Sequence, residues 1–243
     1  MKTILPLLAA AALSTGSSHA DQGSKTAAKT APKAAGEAAG EQAVGLLFEW
    51  IELDHRQANK LIRKHAIQLD ADPLREALET LLDKGEASLV ETAYLVSNRD
   101  RKSQVTSVDE LLYPTEFDPP EIPQKIHKDM PLDQIPIGPA NPTAFDVRNV
   151  GTTVTAEITV NRSGSIKLDL NPEIVRHLGD RTIGDAKTLH ASLAHVYQPD
   201  FYVMSLATQL TLDDGKHSLI SLFTPAGKKD KRVMLIARAK ILK

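Results

Sequence analysis

The side chains able to do chemistry are few, and their spacing does not suit it. Cysteine is absent, which removes thiolate nucleophiles, disulfides and cysteine-ligated metals. Of the eight histidines, no two stand four residues apart, the spacing that aims two imidazoles at one zinc from a helix; His190 and His195 are five apart. Asp169, Asn171 and Glu173 offer oxygen at alternate positions, without the turn glycine and terminal bidentate acid of a calcium loop. Asp213-Asp214-Gly215 reads as a tight turn. Glu49 and Glu52 are the acids embedded in an apolar run, and a strand sends them to opposite faces, away from a shared acid–base site. No Gly-x-Ser-x-Gly, phosphate loop or dinucleotide fingerprint occurs. The expectation is a protein without catalysis, metal or cofactor.

Composition narrows the partners. The formal charge is −2 over 243 residues, with hydrophobic content of 42% and charged content of 25%, an ordinary globular balance. The pI near 6.4 gives no electrostatic reason to expect nucleic acid. The run Lys228–Arg232 reads as a solvated turn.

Residues 1–20 read as a secretory signal: Lys2, an apolar stretch Ile4–Leu13, and the small-x-small site Ser18-His19-Ala20. Ten apolar residues fall short of the roughly 20 that span a bilayer. Residues 21–43, rich in Ala, Lys and Gly, lack large apolar side chains and are expected to be a disordered leader. A single domain is expected over 44–243.

Within it, Val44–Leu53 suits a largely buried strand. Asp54 and Gln57 are spaced as a capping box for a helix to about His65. Asp72 is expected to cap a second helix, with Pro73 at its first turn, a stripe of Leu74, Leu78, Leu81 and Leu82, and Gly85 as its stop. Ala87–Val96 and Ser103–Val108 read as a hairpin around a polar turn. Residues 113–142, punctuated by proline, read as an extended strap rather than strand.

The clearest element is a second hairpin. Val154, Ala156, Ile158 and Val160 alternate with polar residues, and Asn161–Gly164 supplies the turn. Ile166, Leu168 and Leu170 alternate in the return strand, which Pro172 is expected to end. Residues 176–198 give a mixed pattern, with weak helical spacing over 186–196. Phe201–Leu212 reads as one long strand, followed by His217–Phe223 and Lys231–Leu242.

In order, these segments resemble the C-terminal, ring-forming domain of the bacterial secretins, the outer-membrane channels of type II and III secretion and of type IV pili. The resemblance lies in Leu47–Leu53 as an opening strand with two glutamates, and in the hairpin Leu89–Val108. It continues in Phe145–Val154 with its Val150-Gly151 pair, and in the partner strand Ser165–Asn171. Leu206–Gly215, ending in Asp-Gly, and the terminal strand Val233–Leu242 complete it. Two departures stand out. Ile220-Ser221-Leu222 replaces the family's Gly-Gly-Leu, and Thr224–Lys231 is a shortened form of its Pro-, Leu- and Gly-rich segment. The aromatic content of 4% shows no girdles, and no lipid-facing strand pair is legible.

The fold expected is α+β, mainly β: antiparallel twisted sheets, sandwich-like, with two N-terminal helices. The resemblance implies a short, divergent secretin-like component, exported to the periplasm or outer membrane and lacking the pore. It would pair through strand edges with proteins of a secretion or pilus machine or with itself, touching membrane only peripherally. The expected edges are Phe145, Val147, Val150, Gly151 and Val154 on one strand, and Val233 and Leu235 on the last. The alternative is a free-standing β-sandwich binding or adhesion module, with the extracellular space as its location.

Overall fold

The apolar run after Ala43 is buried on both faces because it lies at the middle of three layers. The computed structural model describes residues 42–65, 70–119, 121, 123–125, 127–131, 135, 140–183 and 196–242. These fall within one unit, Ala39–Lys243. The signal and leader expectations, and most of the weak helical pattern over 186–196, lie outside the described residues.

The central sheet has the order β2-β1-β9-β8, all antiparallel. Its strands are β1 (Ala43–Asp54), β2 (Ala87–Asn98), β8 (His217–Phe223) and β9 (Lys231–Ile241). One face of this sheet sends Leu46, Phe48, Trp50, Val233 and Leu235 against a second sheet; the other sends Ile51, Leu53, Met234 and Ile236 against the helices. The pairing of β1 with β2 shifts register between Trp50 and Ile51, where Trp50 stands opposite Glu91 and Ile51 opposite Leu89. Each fully buried side chain of this size contributes about 1.5–3 kcal/mol of transfer free energy.

The helix layer is α1 (His55–His65) and α2 (Asp72–Asp83), with Ala58, Leu74 and Leu78 buried on the sheet. Asp54 caps α1 as expected, accepting the N–H groups of Arg56 and Gln57 at 2.8 and 3.4 Å. Only half the capping box forms, because the Gln57 amide donates to Glu86 at 2.8 Å instead. Asp72 is not the cap of α2: Ala71 occupies that position without a side-chain bond. The Asp72 carboxylate instead accepts Lys216 Nζ at 2.8 Å, the His217 backbone N–H at 2.9 Å and His217 Nδ1–H at 2.7 Å, tying α2 to β8. Arg75 donates from Nε and Nη2 to both Glu49 oxygens at 2.8 and 2.9 Å, a second tie between α2 and the sheet. The Glu49 hydrogen bonds hold the Arg75 pKa above its ordinary value against the opposing effect of burial. Glu52, on the other face, pairs with Lys228 at 2.9 Å, so the two embedded acids do not meet.

The second sheet runs β3-β4-β5-β6, with β7 also on β5. Its strands are β3 (Arg101–Asp118), β4 (Asn141–Val160), β5 (Ile166–Ile183), β6 (Val196–Ser205) and β7 (Thr208–Leu212). The hairpin around Asn161–Gly164 forms as expected, with Val154 opposite Pro172 and Ile158 opposite Leu168. Three sequence readings are corrected here. Pro172 does not end its strand: β7 covers β5 only up to Leu170 and β6 takes over at Glu173, so the missing proline N–H falls where the neighbouring strand jogs. The Pro172 carbonyl accepts the Leu206 N–H at 3.2 Å at that jog. The same jog divides the expected strand Phe201–Leu212 into β6 and β7. The strap is also shorter than expected, since Tyr113–Asp118 is strand and pairs with Asn141–Asp146; Pro114 is accommodated beside a register shift on a strand with one free edge.

Candidate assembly surface

β4 passes through two environments that meet at Gly151. From Gly151 to Ile158 it lies between β3 and β5; from Asn141 to Val150 it pairs with β3 alone. β5 behaves likewise: beyond Val175 it pairs with β6 alone, to Ile183. The sheet therefore parts into two ladders, β3/β4 and β5/β6. Among the described residues, each ladder there is two-stranded, and both of its outer strand edges lack a β-partner. The β4 segment from Phe145 was expected as strand, whereas the β3 segment beyond Tyr113 and the β5 segment beyond Arg176 were not. Beyond Gly151, nine β4 residues between Val150 and Asn141 pair with β3, and Thr143 is passed over where the register shifts.

Backbone geometry at Gly151 permits the parting. Its φ is +138°, and a Cβ there would lie 2.2 Å from the Ser107 carbonyl oxygen and 2.8 Å from Val108 Cα. Only glycine lets β4 approach β3 this closely while it turns from β5.

Polarity inverts at the same place. On the core face of β4, Val154, Ala156 and Ile158 are buried, then Val150, Arg148 and Asp146 follow. On the outer face, Thr159, Glu157, Thr155 and Thr153 give way to Val147 and Phe145. These sit directly opposite Leu112 and Pro114 of β3. Leu112 is 63% exposed, Phe145 54% and Val147 48%. The β5/β6 ladder exposes Leu178, Ile183 and Tyr197. Contiguous exposed apolar side chains on paired strands mark an interaction surface.

The ladders touch through an aromatic contact, Tyr113 to Phe201 at 5.7 Å between ring centroids, and Phe201 also meets the His177 ring at 5.9 Å. Gln198 Nε2 donates to the Pro114 carbonyl at 3.2 Å. Between them lies an open cleft of about 370 Å³, lined by Phe117, Pro142, Tyr197 and Pro199 among others. Nearer the core, Tyr202 donates its O–H to the Thr224 carbonyl, and burial pushes its phenol pKa upward.

Of the expected edge residues, Phe145 and Val147 lie exposed on the freed segment of β4, Val150 is half-buried, and Gly151 is the hinge of the parting. Val154 is not at an edge; it is fully buried between β3 and β5. Val233 and Leu235 are likewise corrected. β9 is an interior strand between β1 and β8, and both side chains are buried. Leu112, Leu178 and Tyr197 were missed. The phase shift of the apolar positions, from even numbers over 154–160 to odd at 145 and 147, was the available signal for this face. Among the described residues, no cluster of side chains could hold a metal, and no helix is long and apolar enough to cross a membrane.

The fold is thus a mainly-β, three-layer domain with antiparallel sheets and two N-terminal helices. No family model matches the chain and no curated protein does. Among solved structures it is similar to the Salmonella type III secretion injectisome secretin InvG, at 10% identity and a TM-score of 0.43, over 84% of this chain and 65% of that one. It is similar to the enteropathogenic Escherichia coli type II secretin GspD at 12% identity and 0.36, over 84% and 67% of the two chains. It is also similar to the V. cholerae type IV competence pilus secretin PilQ at 10% identity and 0.36, over 83% and 58%. The chain spans less than two thirds of InvG.

Proposed function

We propose that this protein is a non-catalytic, secretin-like component of a bacterial envelope secretion or type IV pilus system. It acts by strand-edge and strand-face association with copies of itself or with proteins of that machine. Export to the periplasm or outer membrane follows from the signal-like residues 1–20.

The parted sheet supports this reading. A strand edge without a β-partner presents a row of backbone donors and acceptors that another strand can complete. On β4 that edge runs beside exposed Phe145 and Val147, so pairing would bury apolar surface along with backbone groups. Burial of Leu112, Phe145 and Val147 would supply up to about 1.5–3 kcal/mol each. A domain with no assembly role would gain nothing from an outer face that turns apolar where the sheet divides.

The test is the mass and shape of the full chain, by light scattering and electron microscopy with and without detergent. Closed rings of identical subunits are expected. Phe145→Asp combined with Val147→Asp should disperse them while leaving the circular dichroism unchanged. A strict monomer, soluble without detergent, would overturn the proposal and leave the free-standing binding module.

A further inference from the structure

The two helices touch each other over the central sheet, yet they carry opposite charge. Along its eleven residues α1 has no carboxylate, and Arg56, Lys60, Arg63 and Lys64 are exposed. Their i, i+4, i+7, i+8 spacing makes one stripe, which lines a shallow groove with Asn59. None of these four side chains has an ion-pair partner among the described residues.

α2 presents the reverse. Glu76, Glu79 and Asp83 follow i, i+3, i+7 and are exposed. The one basic residue of α2, Arg75, is turned inward to Glu49 and also meets Glu79. Asp72 is occupied by Lys216 and His217. Glu76 and Asp83 make no ion pair among the described residues, so the two stripes do not neutralise each other within one copy.

We infer that the helix layer is a contact between copies of this chain, with the basic stripe of α1 on one copy facing the acidic stripe of α2 on the next. The inference rests on the proposed self-association and adds its electrostatic register. The stripes are different surfaces, so the contact is heterologous: it repeats head to tail and either closes a ring or propagates. Such complementarity fixes register and speeds encounter more than it adds affinity, which leaves affinity to the apolar ladders.

A second copy fits better than an anionic lipid surface. The apolar side of α1, including Ala58, Leu61 and Ile62, is spent on the sheet, so the helix has no apolar face to insert. The carboxylates that match its cations are carried by the same chain at helical spacing.

Three full-chain variants test this: Lys60→Glu with Arg63→Glu, Glu76→Lys with Asp83→Lys, and all four together, each checked for folding by circular dichroism. Self-association is read by sedimentation velocity at about 0.05 M and about 0.5 M salt, since screening shortens the reach of exposed charges over that range. Each double reversal should weaken association about tenfold at low salt. The fourfold variant, complementary again with its signs exchanged, should recover it. A folded fourfold variant no better than the doubles overturns the inference. So does association indifferent to every reversal but lost on Phe145→Asp, a result that leaves the proposed function standing. A monomeric wild-type chain overturns both. Loss of binding to phosphatidylglycerol vesicles on the α1 reversal, with self-association untouched by the α2 reversal, assigns the stripe to lipid and overturns the inference too.

Discussion

Replacing Gly151 with alanine tests the reasoning about the parted sheet most directly. Two costs add. Holding a non-glycine residue at φ +138° costs about 1–3 kcal/mol. The new methyl carbon would lie 2.2 Å from the Ser107 carbonyl oxygen and 2.8 Å from Val108 Cα. Both atoms are backbone, so no flexible side chain can swing aside, and β3 or β4 must shift by about 1 Å at a further cost of about 1–3 kcal/mol. The stiffer unfolded chain returns about 0.4–1 kcal/mol. A net loss of about 3 kcal/mol is expected, a large share of the roughly 5–15 kcal/mol that holds a domain folded. Gly164→Ala is the internal control. Gly164 also has positive φ, +85°, but a Cβ there meets nothing within 4 Å. It should therefore cost only about 1–2 kcal/mol. Equilibrium urea unfolding of the two variants gives the comparison. Hydrogen exchange should also show Gly151→Ala loosening the β3/β4 ladder first. A Gly151→Ala loss no larger than that of Gly164→Ala would refute the close-approach reasoning.

Two further outcomes are expected. Hydrogen bonds from Lys216, then from the backbone and ring of His217, hold the Asp72 carboxyl well below the usual carboxylate range, against desolvation. A depressed folded pKa gives stability that is present above the unfolded value near 3.8 and is lost as pH falls below it. Asp72→Asn should therefore cost about 1 kcal/mol at pH 7, after solvent screening of a partly exposed carboxylate. That difference should shrink in urea titrations at about pH 3; a difference that persists unchanged would show that the bonds to Asp72 are not linked to its charge. Leu168, buried completely between the two sheets, should cost about 3 kcal/mol as Leu168→Ala. Thermal and urea unfolding that agree on less than 1 kcal/mol would contradict a dry, closed inter-sheet core.

Much of the fold was legible because its signals are local. Strand alternation around Val154–Val160 and Ile166–Leu170 has period 2 whatever surrounds it, and the Asn161–Gly164 turn joins them in register. Pro73 at the first turn of α2, Gly85 after its end and Asp54 before α1 act within a few residues. The helix stripe Leu74 and Leu78 packs on the domain's own sheet as its spacing implied.

The candidate surface was only half legible. Phe145, Val147 and Gly151 stood out in the sequence, whereas Leu112 fell between the return strand ending at Val108 and the strap beginning at 113, and Tyr197 fell in the mixed stretch 176–198. Proline in a strand is judged by which neighbour needs its missing N–H. Pro114 lies beside a register shift, and Pro172 lies at the jog between β6 and β7, so neither interrupts its strand. That is a fact about partners far along the chain.

What the sequence determined by itself was the two helices, the buried strand β1 and the Val154–Leu170 hairpin with its dry face and turn, because side-chain period and capping chemistry are decided over a few residues. The expected pairing of Ala87–Val96 with Ser103–Val108 did not form, since β2 joins β1 and β3 joins β4. Tertiary structure alone decided which strands became edges. Val233 and Leu235 have an apolar pattern suited to an edge or a centre, and insertion of β9 between β1 and β8 made them core. It also decided that Asp72 ties α2 to a strand 145 residues away rather than capping its own helix. And it decided that the second sheet divides at Gly151, since a close backbone approach exists only once β3 lies against β4.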